Sequence, residues 1–169
     1  MISSEIVEKA CSEVSAFTDD QMMREFDRFF QQQPGICEFV TELTSDSTTE
    51  IQELSLFLSY MVFKAAETAE PEGTDKLMEV TPERIESAFR ESESWIERIE
   101  QLSQAENPGD QPMPEDVEPY LVQYVISELN LPLEDGTLLV DEQKGEVFFV
   151  LKTVISSFAR EPHGKENQN

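Results

Sequence analysis

The chain has 169 residues, with 36 acids against 12 bases, a net charge of −24 and a hydrophobic fraction of 38 %. A polyanion of this kind is repelled by DNA, RNA and anionic lipid surfaces, so non-specific binding to any of them is excluded, while a basic protein surface or divalent cations remain charge-matched partners. The length suits one domain or two small ones, and charge alone also serves solubility.

Taken in order, Ser3 or Ser4 caps a first helix running from about 3 to 17, with Ile6, Val7, Ala10, Cys11, Val14 and Phe17 on its inner face. Thr18 followed by Gln21 is a capping box and opens a second helix over 19–32, whose inner face is read as Met22, Met23, Phe26, Phe29 and Phe30. Methionines beside phenylalanines form either core or a plastic binding groove. Pro34 suits a first helical turn and begins a third helix to about 43. The polar run 44–49 is a loop. The fourth helix, about 49–70, contains LSLFLSYMVFKAA over 54–66 and is apolar nearly all round, the pattern of a helix in the middle of a bundle.

Thr81-Pro82-Glu83 combines a cap, a first-turn proline and an acid at the positive end of the helix dipole, and starts a fifth helix over about 81–104. Its apolar stripe (Ile85, Phe89, Ile96, Ile99, Leu102) is narrow, so it reads as an exposed acidic connector. Residues 67–118 carry half the net charge of the chain in under a third of its length. Trp95 lies on this helix with Glu86, Glu93, Glu97 and Glu100 nearby in sequence. These five residues are the candidate partner-binding set: tryptophan is enriched at binding hot spots, although it also serves to pack a connecting helix onto a core.

The proline-rich stretch 107–116 reads as a linker that divides an N-terminal helical region, 1–106, from a C-terminal hairpin, 117–161. In that hairpin, Val117, Leu121, Tyr124, Val125 and Leu129 face inward on a sixth helix. A loop around Asp135-Gly136 follows, where Leu138-Leu139-Val140 could make a short strand. Asp141 caps a seventh helix running to about 160, and 162–169 is expected to be a disordered tail. The seventh helix repeats the apolar pattern of the fourth 93 positions on, and Pro119-Tyr-Leu-Val-Gln-Tyr-Val resembles Pro34-Gly-Ile-Cys-Glu-Phe-Val. Either each half carries one copy of a proline-opened helical unit, or two helical hairpins share an apolar rhythm by coincidence.

The residue inventory argues against most catalytic apparatus. The single histidine, His163, lies in the tail, which removes histidine-dependent triads and most transition-metal sites. Cys11 and Cys37 form no CxxC pair and read first as buried thiols of a reducing cytoplasm, with a single disulfide in a secreted protein as the alternative. Glycine-rich phosphate loops and calcium-loop spacing are absent. No signal peptide or membrane span is expected.

The sequence therefore predicts an all-α bundle of about seven helices. It is expected to be a cytoplasmic, non-catalytic acidic protein without cofactors, acting as an adaptor, inhibitor or chaperone-like factor on a protein partner, with a homodimer also compatible. The alternative is a metal-dependent enzyme or metal-binding bundle built on carboxylates alone. Bundles of that type normally also supply Glu-x-x-His histidines, which this chain lacks.

Overall fold

The computed structural model describes residues 1–73, 77–104 and 118–159. Among them are seven helices: α1 (Ser4–Ser15), α2 (Asp19–Gln32), α3 (Pro34–Leu43), α4 (Thr49–Thr68), α5 (Pro82–Gln104), α6 (Pro119–Leu129) and α7 (Asp141–Phe158). The expected linker 107–116 and tail 162–169, along with Val117, lie outside the described residues.

The local signals act where capping chemistry places them. The Ser3 hydroxyl accepts the Ile6 amide at 3.3 Å, and the Thr48 hydroxyl accepts that of Ile51. The Thr18–Gln21 box closes in both directions. At α7 the cap position is Val140, one residue before the expected Asp141. Valine has no acceptor, so the Gln143 side chain reaches back to the Val140 amide at 3.0 Å while Asp141 and Glu142 occupy the dipole-favoured first turn.

α4 and α7 pack against each other at the centre of the bundle, with Leu58, Val62, Phe63, Val147, Leu151 and Val154 fully buried. The buried side of α4 also contains Ser55 and Ser59, and that of α7 contains Thr153, Ser156 and Ser157. Ser55, Ser59 and Ser157 satisfy their hydroxyls on the carbonyl four residues back, which lets short side chains sit in the core without an orphaned donor.

α2 is fastened over α4. Phe29 stacks on Phe63 with ring centroids 5.1 Å apart and meets Tyr60 edge-on, while Arg28 forks between Glu67 and Glu25. Tyr60 donates its hydroxyl to Glu25 at 2.7 Å. Hydrogen bonding from Arg28 holds the Glu25 carboxyl below its usual range. Two of the residues assigned to the inner face of α2 lie outside: Met23 is 67 % and Phe30 42 % exposed. The stripe that α2 buries is narrower than the apolar residues available to it: Phe26 and Phe29 meet the rings of α4 and Met22 packs on the core.

The expected connector α5 is not a free-standing bridge. It lies along α7, where Ala88 and Ser92 are buried and the Ser92 hydroxyl meets that of Thr153 at 3.2 Å. Small residues at these positions let the two helices approach closely. Arg84 adds a hydrogen bond to the Ser156 carbonyl, and Phe89 stands edge-on between Phe39 of α3 and Phe149 of α7.

The starts of α3 and α6 share an unusual arrangement. Each is preceded by a buried polar residue, Gln33 or Glu118, in nearly the same pre-proline conformation (φ −130°, ψ 56° and φ −133°, ψ 72°). Gln33 accepts the Val80 amide at 2.8 Å and donates to the Met78 carbonyl at 2.9 Å, immediately before α5. Glu118 accepts the Ile2 amide at 2.7 Å, immediately before α1. Each of these two buried side chains thus pins the residues leading into a helix remote from it in sequence.

Candidate functional site

Residue spacing on α5 separates the sequence-predicted partner set. At 100° per residue, Glu86, Glu93, Glu97 and Glu100 fall on one face, and Trp95 falls on the opposite side. All four acids are exposed, Glu86 being paired with Arg90. Trp95 turns inward and is half-buried: its ring lies 5.9 Å from that of Phe148, and the Lys152 ammonium sits over it at 5.2 Å. Its indole N–H is buried without an acceptor among the described residues. Trp95 and the four glutamates therefore form no common surface.

A different surface assembles from residues remote in sequence. Between α2, α4 and the loop joining α6 to α7 lies an open trough of about 720 Å³. Phe26 and Phe30 of α2, Leu54 and Phe57 of α4, and Leu131 and Leu133 of the loop give it an apolar floor and walls. A smaller recess of about 210 Å³ shares Glu50, Leu133 and Asp135 and continues the trough past the start of α4. The loop wall is shaped by a tight turn. The Gly136 amide donates to the Leu133 carbonyl, the Leu133 amide donates to that of Thr137, and Asp135 accepts from both the Thr137 amide and its hydroxyl. Gly136 takes φ +82°, a conformation that a side chain would strain.

The rim of this trough is acidic. Glu50, Glu53, Glu128, Glu134 and Asp135 line it, and among the described residues no lysine or arginine does. Among the described residues, none of the five forms an ion pair, in contrast to Glu25, Glu67 and Glu13, which pair with Arg28 and Lys64. Burial pushes the Glu128 carboxyl above its usual range, while the Thr137 hydroxyl and amide hold that of Asp135 below. Carboxylates beside low-dielectric walls concentrate a negative field in the trough. The sequence reading missed this site. Its signals were Phe30, which exceeds what α2 can bury, and two leucines in the polar loop Leu131-Pro-Leu-Glu-Asp.

Other chemistry finds little support. No group of three histidine, cysteine, aspartate or glutamate side chains comes together for a metal ion among the described residues. Cys11 and Cys37 are free thiols; burial raises both, Cys37 to about 12, so neither supplies a thiolate near neutral pH. No described helix is long and apolar enough to cross a membrane. No family model, curated protein or solved structure matches the chain.

Proposed function

We propose that this chain is a non-catalytic acidic helical protein that binds another, basic protein as an adaptor, inhibitor or chaperone-like factor, working in a reducing cytoplasm. The observation that carries this reading is the trough: an apolar floor open to solvent, rimmed by five acids with no counter-charge among the described residues. Contiguous exposed apolar surface within a polar rim is the usual anatomy of a protein-binding patch. The exposed acids of α5 (Glu86, Glu93, Glu97 and Glu100) would add long-range attraction that speeds encounter with a basic partner without contributing contacts at the trough. The carboxylate-metal alternative has no grouping of ligands to support it among the described residues. We also read the two halves as copies of one unit, supported by the matching Gln33–Pro34 and Glu118–Pro119 starts with their matching backbone clamps.

The test is affinity capture from lysate at low salt, on immobilised wild-type chain beside a Phe30→Ser/Leu131→Ser variant, with salt-gradient elution. A basic protein leaving at moderate salt and retained more strongly by wild type is expected. No stoichiometric partner at any salt would refute the reading.

A further inference from the structure

We propose that the trough seats one cationic amphipathic helix of a partner protein, its apolar face against Leu54, Phe57 and Leu131 and its basic flanks against Glu53, Glu128 and Glu134; this rests on the protein-binding reading above. Three observations select that occupant.

The first is shape. On α4 the stripe that lines the trough runs from exposed Glu50 and Glu53 to the partly buried Leu54 and Phe57. Seven residues of helix rise about 10 Å, which is two turns, so an incoming helix could set apolar side chains at i, i+4 and i+7 along it. The second is backbone chemistry. The walls on α2 and α4 are helical, with their amides and carbonyls already paired inside each helix, so an extended peptide would find no strand edge to pair with there. A helix satisfies its own backbone and brings only side chains to an apolar floor.

The third observation is charge. Five rim acids without a cation among the described residues call for a basic occupant. A second copy of this chain, itself at −24, would bring acid against acid. The chain's own segment 105–117 contains four acids and no base, and 160–169 contains no large apolar residue, so neither matches the floor and the rim together.

The probe is a dye-labelled, capped model peptide of about 14 residues, long enough to hold a helix when docked, with leucines at i, i+3, i+4 and i+7 and lysines elsewhere. Fluorescence anisotropy with the full chain is expected to give saturable one-to-one binding. A scramble of the same composition, which destroys the apolar face, should bind at least about tenfold more weakly. Phe30→Ser/Leu131→Ser, both at exposed positions so that the fold is retained, should cost the peptide about tenfold or more. Glu53→Gln/Glu134→Gln should weaken binding and flatten its salt dependence.

Equal binding of peptide and scramble, or affinity unchanged by Phe30→Ser/Leu131→Ser, would mean unspecific adhesion to a polyanion and would overturn the assignment. A dimer in sedimentation that dissociates with Phe30→Ser/Leu131→Ser would hand the trough to a second copy and overturn it as well. A lysate partner retained equally by wild type and that variant would sink the helix assignment while leaving partner binding elsewhere on the chain intact. Failure of both the peptide and the lysate capture would sink the two together.

Discussion

Replacing Gln33 with alanine tests whether its side chain holds the entry to α5. Gln33 is fully buried, and its amide group makes two hydrogen bonds to backbone 45 and 47 residues away in sequence. Removing the side chain leaves the Val80 N–H buried without its acceptor, at a cost of about 1–3 kcal/mol. The Met78 carbonyl belongs to an exposed residue and can turn to water, so its loss contributes under about 1 kcal/mol. With the void left by the glutamine stem, the expected total is about 3 kcal/mol. At a urea dependence of about 2 kcal/mol per M, the unfolding midpoint should fall by about 1.5 M. Amide exchange should localise the effect: the Val80 N–H loses protection while the interior of α4 keeps its own relative to the new global stability. The companion change Glu118→Gln keeps an oxygen acceptor for the Ile2 amide and should cost less than about 1 kcal/mol, whereas Glu118→Ala should cost about as much as Gln33→Ala. A midpoint shift for Gln33→Ala below about 0.3 M would refute the reasoning, because it would mean that Val80 finds another acceptor at no cost.

Trp95→Ala should lower stability by about 2–3 kcal/mol in thermal or urea unfolding, since the ring packs on Phe148 and beneath Lys152; a stability-neutral Trp95→Ala that abolished partner binding would contradict that packing role. Arg28→Ala should cost about 2 kcal/mol, intermediate between exposed and fully buried pairs, because it leaves Glu25 and Glu67 facing each other without their shared cation. The Glu25 carboxyl is depressed in the folded state, so its contribution is present above the unfolded pKa and lost as pH falls through the folded one; the penalty of Arg28→Ala should therefore shrink in acid, which urea titrations at neutral and acidic pH would show. Glu128 has the opposite sign. Its folded pKa is raised, so stability from its protonated form is lost as pH rises through that value, and Glu128→Gln should raise the unfolding midpoint at neutral pH while leaving it little changed in acid.

Helices were legible because their ends are written in local chemistry. Thr18 with Gln21 and Pro34 act within one turn of themselves, and no distant residue overrules them. The apolar run of α4 identified the centre of the bundle. What escaped depends on size and distance. Ala88 and Ser92 carry no hydrophobic signal strong enough to mark a core face, yet it is their smallness that lets α5 lie on α7, so a helix read as an exposed connector is packed along one side. Phe30 and Met23 obey the period of α2, but period says which residues share a face and not how much of that face a partner covers. The trough joins residues near 30, 54 and 131, and no sequence window contains it. The candidate set on α5 failed to converge for a simpler reason: Trp95 and the four glutamates are close in sequence but half a turn apart around the helix.

The Glu118 clamp also sets a timetable. Ile2 leads into α1, but the carboxylate that receives its amide comes 116 residues later, and α6, against which α1 packs, follows that residue directly. At a synthesis rate of about 5–20 residues per second, the face of α1 that α6 will cover stays open for about 6–23 s after Ile2 is made. In that interval α1 presents apolar surface at a sequence separation that slows closure, and α6 completes its packing.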